Sequence, residues 1–371
     1  MIRLTRPSID DAELAELARV LASGQLVQGP AVAAFESALA EALRVPPSTV
    51  VACSTGTTAL QLALAALSVG PGDDVVLPDF VFPSVASAVI YTGATPVVCD
   101  VDPDSFNVTL ETVSAVMTKR TRAVIAVHQF GVPCDVQSLS GGLTCPVIED
   151  AACALGTRGT TGYAGTQTGL GCFSFHPRKI ITTGEGGAVV ALDSGHSTRL
   201  RHLRQHGMRF GPSGVDFPEV GYAARMSELH AAVGLAQMRK LDAIVAGRAR
   251  AAEAYRARLA SVTAIRTTPW TWHPDRVYQG LVVLLDPALD RARVIAGLRE
   301  RGVESTIGTY AIHTQAGFRS VVRASPSGLR GSRYAADHSL TLPLRPDMTD
   351  DDIDQVCVAL RHVIDHHGAS V

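Results

Sequence analysis

The chain has 371 residues, of which 46% are hydrophobic, and this length and composition predict a sizeable core and two domains. Lysine and arginine together number 33 and aspartate and glutamate 35, so the formal net charge is −2. Because no basic run is present that could neutralise a row of phosphates, this balance argues against a nucleic-acid-binding protein.

Targeting segments and cysteine pairs are not evident in the sequence. The first residues lack the charged and apolar regions of a secretory signal, and no apolar run of about 18 residues could span a bilayer. The seven cysteines are odd in number and form no C-x-x-C pair. We therefore expect a cytoplasmic protein with reduced thiols, without a membrane partner and without a metal site.

The predicted elements begin with a helix that has Ser8 as N-cap, Asp11 in a capping box and Gly24 after its end. From about residue 50, short β-rich runs alternate with Ala/Leu-rich helical segments, of which the clearest follows Gly56. One predicted strand ends at Pro78, and four others occupy residues 95–102, 122–128, 146–150 and 171–175. This alternation indicates an α/β domain with a largely parallel sheet covered on both faces.

The last third of the chain has a different pattern. A long helix or a pair of helices starts at Met226, with weak interruptions at Gly234 and Gly247. A strand at 279–286, a helix around 291–301 and a last helix with Thr349 as N-cap and Asp352 three residues later follow it. We interpret this part as a smaller α+β domain.

Two segments have a pattern typical of ligand sites at the carboxyl ends of parallel strands. The small-residue turn 54–58 runs into a helix and offers backbone N–H groups and a helix dipole to an anion, although such residues also cap helices for structural reasons alone. The acidic pair of VIED ends a predicted strand. Its Asp150 either points into the crevice at that edge or is a solvated acid or a helix cap.

A third segment contains a lysine, which is a rare residue in this protein. Only Lys119, Lys179 and Lys240 are present, so nearly all cationic residues are arginine. Lys179 lies between His176-Pro177 and a glycine-rich turn in an otherwise apolar stretch. Any chemistry that needs a primary amine therefore has three candidates, of which Lys179 has the most distinctive surroundings.

Together these segments resemble the DegT/DnrJ/EryC1/StrS sugar aminotransferases, a family of fold-type I enzymes that use pyridoxal phosphate (PLP). The similarity covers nearly the whole chain and includes STGTTALQLAL, GATPVVCDVD, VIEDAACALG, GCFSFHPRKIITTGEGGAVV and RMSELHAAVGLAQMRKLD. It implies a large, mostly parallel PLP-binding domain over residues 1–245 and a smaller α+β domain over residues 246–371. The N-terminal segment is then available to pack on the small domain.

The resemblance also implies roles for individual residues. Lys179 matches the lysine that binds the cofactor aldehyde and later moves a proton at the substrate carbon. Asp150 matches the acid that pairs with the pyridine nitrogen, and Phe82 matches the aromatic residue that stacks on the pyridine ring. The positions that match phosphate-binding residues are Gly56, Thr57, Thr58 and Ser174.

Two positions depart from the family pattern. Cys153 stands where members commonly have Gln or His near the cofactor O3′, and a thiol is a weak donor. Ala223 replaces an asparagine that reaches the neighbouring subunit's cofactor phosphate, which would weaken cofactor binding. Arg225 is retained and is expected to hold a carboxylate of the amino donor, or a phosphate across the interface.

The remaining candidates are less specific. His313 matches a histidine-containing loop near the substrate, but a surface histidine is an equally good interpretation. His206 and Arg209 are predicted to be loop residues. Cys53 and Cys172 lie on apolar strand segments and are predicted to belong to the core.

The resemblance implies an aminotransferase that acts as a homodimer. It would move an amino group from glutamate or glutamine to a keto sugar, nucleotide-linked or free, or to a cyclitol ketone, in secondary metabolism or glycan biosynthesis. Because Lys179 is retained, the branch of dehydratases with histidine at this position is disfavoured. Two alternatives stay open, namely a catalytically impaired binding or regulatory homologue, and another lysine-dependent PLP reaction such as elimination or racemisation.

Overall fold

The computed structural model describes residues 1–212, 214–325 and 328–367. Its α-helices are α1 (Asp11–Ser23), α2 (Pro30–Leu43), α3 (Gly56–Ala66), α4 (Ser84–Tyr91), α5 (Leu110–Ser114), α6 (Val136–Gly142), α7 (Ser194–Arg204), α8 (Glu228–Arg239), α9 (Leu241–Leu259), α10 (Arg291–Glu300), α11 (Arg330–His338) and α12 (Asp350–His367). Short 3-10 helices span Pro47–Thr49, Gln129–Gly131 and Ile312–Thr314. The strands are β1 (Val50–Cys53), β2 (Asp74–Pro78), β3 (Thr95–Cys99), β4 (Thr121–Val127), β5 (Val147–Asp150), β6 (Leu170–Ser174), β7 (Gly187–Ala191), β8 (Arg209–Gly211), β9 (Gly214–Asp216), β10 (Ile265–Arg266), β11 (Leu281–Leu285), β12 (Thr306–Ile307), β13 (Arg323–Ala324) and β14 (Ser339–Leu342).

The large sheet has the strand order β1-β7-β6-β5-β4-β2-β3-β13. The pairs from β6 through β13 are parallel, whereas β7 is antiparallel to both of its neighbours. Strands β1, β2, β5 and β7 are buried along their whole length, including the acids at the ends of β2 and β5, as expected for a sheet covered on both faces. The predicted α/β architecture with a mostly parallel sheet is therefore confirmed.

A smaller antiparallel sheet, β10-β11-β14-β12, packs with α9, α10 and α12 around a second apolar core built from residues 251–363. The N-terminal segment lies against this part, because Ile2 pairs with Val303 and the Leu4 N–H donates to Glu304 at 2.8 Å. The proposed division between residues 245 and 246 lies inside α9, and it stays a prediction. Across the described ranges, no helix is both long and apolar enough to cross a membrane.

The predicted ends of the first and last helices can be compared with their caps. In α1 the N-cap is Asp10 rather than Ser8, because the Asp10 and Glu13 side chains form a reciprocal capping box. Gly24 ends α1 in the left-handed conformation, as predicted. At α12 the Asp352 N–H donates to Thr349 Oγ1 at 3.1 Å and the Thr349 N–H to Asp352 at 3.3 Å, which confirms the predicted cap.

The helical run from Met226 is a pair of helices. The break between them lies at Lys240 and not at Gly234 or Gly247. The Lys240 ammonium pairs with Asp10 at 3.0 Å and with Glu13 at 2.6 Å, and these contacts tie the break to α1. Gly234 serves packing instead, since a Cβ there would lie 2.7 Å from the Phe35 ring. A glycine within a helical pattern can thus mark a close contact between helices rather than an end.

Candidate active site

Strand order places the predicted catalytic segments at one edge of the large sheet. Cys53 at the end of β1 is opposite Gly187, Ser174 at the end of β6 is also opposite Gly187, and Asp150 at the end of β5 is opposite Cys172. The carboxyl ends of β1, β6 and β5 therefore lie side by side. Ligands of open α/β sheets bind at this kind of edge.

The turn after β1 leads into α3 and lies against Ser174. Thr55 is the N-cap, and its Oγ1 accepts the Thr58 N–H at 3.0 Å. A Cβ on Gly56 would lie 2.6 Å from Ser174 Cβ, so only glycine fits there. Among the described residues, no acceptor pairs with the N–H groups of Gly56 and Thr57. These groups, at the positive end of a helix, are available to an anion such as a phosphate.

Asp150 is buried at the end of β5, and its Oδ1 accepts the Ala152 N–H at 3.0 Å. No helix follows it directly, so it is neither a solvated acid nor a helix cap. Burial raises the pKa of Asp150, and the Ala152 N–H and the charge of Lys179 only partly oppose this effect. The carboxylate is thus held where a cationic partner would stabilise its charged form.

The neighbouring acid, Glu149, faces the other side of the sheet and has a structural role. His128 Nδ1 accepts the Cys134 N–H at 3.0 Å, which leaves Nε2–H to donate to Glu149 at 3.0 Å. The Glu149 carboxylate also accepts backbone N–H groups from the loop that precedes β6, namely those of Gly165, Gln167 and Thr168 at 2.7, 2.6 and 2.8 Å. Glu149 therefore anchors this loop, while Asp150 remains free for the site.

We expect Glu149→Gln to lower the free energy of unfolding by about 1–3 kcal/mol, because the amide cannot replace all of these contacts. Burial opposes the charged form of Glu149, but hydrogen bonds from His128, Gly165 and Thr168 outweigh it and lower the pKa of this carboxyl. Its stabilisation is then complete above about pH 4.3 and is lost as the pH falls through the lower pKa of the folded state. Urea unfolding at several pH values measures this. If the difference in unfolding free energy between the wild type and Glu149→Gln did not become smaller at acid pH, the assignment would be wrong.

Lys179 lies in the loop between β6 and β7, and its Nζ is 3.1 Å from Cys153 Sγ. The loop is closed by backbone hydrogen bonds from Phe175 to Gly186 and from Thr183 to Phe175, each 2.9 Å, and the buried Ile180 anchors it. Burial lowers the pKa of Lys179, but the contact with Cys153 and the charge of Asp150 outweigh burial, so the pKa is raised. The only primary amine at this edge is thus held beside a thiol and a carboxylate, as far as the described residues show.

Phe82 and His313 belong to two segments that meet after β2, where Phe80 forms a bridge with Ala311. Phe82 is 61% exposed, and its ring centroid is 6.2 Å from that of Tyr310. His313 Nδ1 is 2.7 Å from Asp79, a fully buried carboxylate that directly follows β2. The sequence analysis missed Asp79, although an acid directly after a buried strand was the same signal that singled out Asp150. His313 is therefore a paired side chain rather than a free surface histidine.

The segment that contains the family-specific Ala223 and Arg225 runs beside the turn of its own chain. The Ala224 carbonyl accepts the Ser54 N–H at 3.0 Å, and the backbone of Arg225 forms a bridge with Cys53. Ala223 is exposed and pairs with Gln205 through its backbone. Arg225 therefore lies next to the turn at Gly56, which is suited to bind a phosphate.

Other predicted residues lie apart from this edge or within the core. His206 occupies a turn with φ +62°, as its loop prediction suggests. Arg209 is not in a loop as predicted. It lies in β8, where it forms an exposed ion pair with Asp216 at 3.5 Å. Cys53 and Cys172 are core residues, as predicted, and burial raises the pKa of both thiols, that of Cys53 to about 12.

This set of residues fits PLP. The turn at Gly56 and Thr57 presents unpaired N–H groups beside the Ser174 hydroxyl, which suits a phosphate. Asp150 is a buried carboxylate with no hydrogen-bonded cation among the described residues, which suits a protonated pyridine nitrogen. Lys179 supplies the amine that an aldehyde requires.

Comparison with known proteins agrees with this geometry. The model of the DegT/DnrJ/EryC1/StrS aminotransferase family matches residues 7–361. The chain is 32% identical to the aminotransferase TlmJ from Streptoalloteichus hindustanus, with 98% of this chain and 99% of that chain covered and a TM-score of 0.91. It is 30% identical to DesV from S. venezuelae, with 94% and 93% covered and a TM-score of 0.86. A family aminotransferase from Brucella abortus is 28% identical, with 95% of each chain covered and a TM-score of 0.86. The chain belongs to the DegT/DnrJ/EryC1/StrS aminotransferase family and is a PLP-dependent enzyme of fold type I.

Proposed function

We propose that this enzyme moves an amino group from glutamate or glutamine to the ketone of a sugar, nucleotide-linked or free, or of a cyclitol, in secondary metabolism or glycan biosynthesis. Membership of a sugar aminotransferase family supports the reaction class. One observation carries the proposal for this chain. Lys179 Nζ lies 3.1 Å from the Sγ of Cys153, which is three residues after the buried Asp150, at the sheet edge that also holds Ser174 and the turn at Gly56.

Each residue would perform one task at a stated atom. Bound PLP supplies an aldehyde that carries the amino group and a ring that accepts electrons. Lys179 Nζ would hold that aldehyde and would serve as the base that removes and returns the proton at the substrate carbon. The Asp150 carboxylate would keep the pyridine nitrogen protonated. Phe82 would pack on the ring, and Gly56, Thr57, Thr58 and Ser174 would hold the phosphate.

We further propose that Arg225 binds a carboxylate of the amino donor and that the protein is a homodimer. The β8–β9 hairpin and the residues after it expose apolar side chains, including Phe210 at 74%, Phe217 at 60% and Val220 at 94%. Water-exposed apolar side chains close together along the chain favour cover by another protein surface. Sedimentation of the purified enzyme tests this proposal, and a monomer at micromolar concentration would contradict it.

The cofactor and the donor can be tested directly. Purified protein with PLP should absorb visible light, and borohydride reduction should remove that absorbance and leave a label on Lys179. Glutamate or glutamine should then convert the unreduced enzyme to its amino form and release the corresponding 2-oxo acid. A label on Lys119 or Lys240, or absence of a cofactor signal, would reject the assignment. Screening keto sugars and cyclitols with both donors identifies the acceptor.

The exposed Ala223 favours a second candidate, a homologue that binds ligands without turnover, because its side chain cannot donate to a phosphate. The substitution Ala223→Asn separates the two. A working enzyme should form the 2-oxo acid already with the native alanine, and the substituted protein should bind PLP more tightly. Absence of the donor half-reaction in both forms would instead support the non-catalytic homologue. Elimination or racemisation is distinguished because it does not accumulate the amino form of the cofactor with donor alone.

We expect Cys153→Ala to lower the pKa of Lys179 in the cofactor-free protein, because the contact with Cys153 raises it in the native chain. The measurement is the pH dependence of reductive methylation of Lys179, followed by mass spectrometry. Its midpoint should move to lower pH. Cys145→Ala is a matched control, since Cys145 is a partly buried thiol with no contact to Lys179. Equal midpoints in all three proteins would show that the thiol does not influence the amine.

A further inference from the structure

Cys153 and Lys179 form a thiol–amine pair, of which the proposed reaction uses only one member. Lys179 Nζ lies 3.1 Å from Cys153 Sγ, although the two residues are 26 positions apart in the chain. As far as the described residues show, neither side chain forms another hydrogen bond. The amine has a role in the proposed reaction, whereas the sulfur has none.

The backbone on both sides of this contact is held in place. In the turn after β5, the Ala154 N–H donates to the Ala151 carbonyl at 2.9 Å. In the loop after β6, the Lys179 N–H donates to the His176 carbonyl at 2.8 Å, and the neighbouring Ile180 is buried. Two closed loops at the same sheet edge therefore bring the sulfur and the nitrogen together.

Cys153 differs from most of the other cysteines in its exposure. Five cysteines are buried, namely Cys53, Cys99, Cys134, Cys172 and Cys357, whereas Cys145 and Cys153 are partly exposed. Of the latter two, only Cys153 contacts a basic nitrogen among the described residues. Reactive cysteines are typically partly exposed and next to a basic side chain, because the thiolate is the form that attacks an oxidant. Cys153 is the thiol that meets both conditions.

The charge of Lys179 suits it to take part in such an oxidation. Burial opposes the charged amine, but the contact with Cys153 and the charge of Asp150 outweigh burial and raise the pKa of Lys179. The ammonium can therefore give a proton to the hydroxide that leaves a peroxide, and it then becomes a neutral amine. A neutral amine at this distance from an oxidised sulfur is a nucleophile in position to attack it.

We propose that Cys153 is a site of oxidation by peroxides and that Lys179 captures the oxidised sulfur in a reversible sulfur–nitrogen bond. In the first step the Cys153 thiolate attacks one oxygen of hydrogen peroxide, the O–O bond breaks, and the leaving hydroxide takes a proton from the Lys179 ammonium. This step gives a sulfenic acid, a neutral amine and one water. In the second step Nζ attacks Sγ, the S–O bond breaks, and the leaving hydroxide takes a proton from the nitrogen as a second water. The sulfur is oxidised by two electrons, the peroxide is reduced, and the linked protein has lost two hydrogen atoms.

The sulfur–nitrogen bond would prevent cofactor binding. A linked Lys179 has no free amine, so it cannot bind the aldehyde of PLP. Bound PLP occupies the same amine and should therefore protect the pair. This consequence rests on the proposed function, whereas the oxidation itself does not. A thiol reductant attacks Sγ and releases the amine, which makes the modification reversible.

The test treats the cofactor-free full-length protein with hydrogen peroxide and searches its proteolytic digest by mass spectrometry for two peptides joined through Cys153 and Lys179. We expect this joined pair, lighter by two hydrogen atoms than its separate peptides, and we expect dithiothreitol to remove it. Protein unfolded in urea before the treatment should not form the link, because its two side chains are then far apart. Protein loaded with PLP before the treatment should form much less of it.

The effect on the cofactor is measured by borohydride reduction after PLP is added. In oxidised native protein the label on Lys179 should fall about tenfold or more, because the linked amine cannot react with the aldehyde. Dithiothreitol should restore the label. A label that stays at its original level in fully linked protein would overturn the inference.

Three variants make the assignment specific. Cys153→Ser removes the sulfur with little change in volume, so the link and the loss of label should both be absent. Cys145→Ala is the matched control, since Cys145 is a partly exposed thiol with no contact to Lys179, and this variant should behave as the native protein does. Lys179→Ala should accumulate the sulfenic acid, which dimedone then labels at Cys153.

The inference would be overturned if Cys153 in the native protein resisted peroxide, or if it became a free sulfenic or sulfinic acid without the link. A link that starts from Cys145, or one that ends at Lys119 or Lys240, would also overturn it. Failure of PLP to label Lys179 in untreated protein would instead reject the proposed function. The mass of the link is measured without the cofactor, so it decides the inference in either case.

Discussion

Lys179→Ala should lower the rate of transamination by at least roughly 10³-fold, because the variant loses both the amine that binds the cofactor and the base that moves the proton. The Nζ of Lys179 is the amine next to Cys153 and Asp150, so another lysine cannot take over its position. Lys240 is occupied in ion pairs with Asp10 and Glu13. Steady-state formation of the 2-oxo acid gives the rate, and the visible spectrum after addition of PLP reports the covalent bond.

Lys119→Ala is the matched control for Lys179→Ala. Lys119 is exposed in the turn before β4, away from the sheet edge that carries the site, so its variant should keep the wild-type rate and spectrum. The unfolding transition of both variants should be compared, since Ile180 and Ile181, which directly follow Lys179, are buried. A Lys179→Ala enzyme that still turns over at a comparable rate would contradict the assignment of the catalytic amine.

Asp150→Asn should lower the rate roughly 10²- to 10³-fold while leaving stability unchanged or higher. The rate should fall because an amide cannot keep the pyridine nitrogen protonated, and loss of one preorganised electrostatic contact typically has an effect of this size. Stability should not fall, because burial raises the pKa of Asp150 and so opposes its charge in the cofactor-free protein at neutral pH. Measurements of kcat and of urea unfolding of the cofactor-free protein test both parts.

Glu149→Gln provides the contrasting control, since it changes the adjacent acid in the same way. That variant should lose stability through the loop contacts of Glu149 and keep its activity per folded molecule. We therefore expect Asp150→Asn to lower the rate and Glu149→Gln to lower the stability. If Asp150→Asn were destabilised while retaining activity, Asp150 would be a structural residue, and the proposed pairing with the pyridine nitrogen would be wrong.

Much of the fold follows from local patterns. The apolar runs at β2, β4, β5 and β6 predict these strands to within one or two residues, and the amphipathic stretch after Gly56 predicts α3. Local rules failed where another contact competes with them. Asp10, and not Ser8, caps α1 because Asp10 forms a capping box with Glu13. The helix pair breaks at Lys240, which forms ion pairs with Asp10 and Glu13, and not at the glycines.

The sequence by itself indicated the family and its cofactor, because segments that resemble the DegT/DnrJ/EryC1/StrS aminotransferases occur in order along nearly the whole chain. The sequence analysis had selected Asp150 of the two acids in VIED, and only the tertiary structure showed that the adjacent Glu149 is held by His128 and by the loop before β6. It alone joined Asp79 to His313 and Lys179 to Cys153, which are 234 and 26 residues apart. Such pairings depend on strand order and loop closure, and no local pattern encodes which distant side chains meet at one sheet edge.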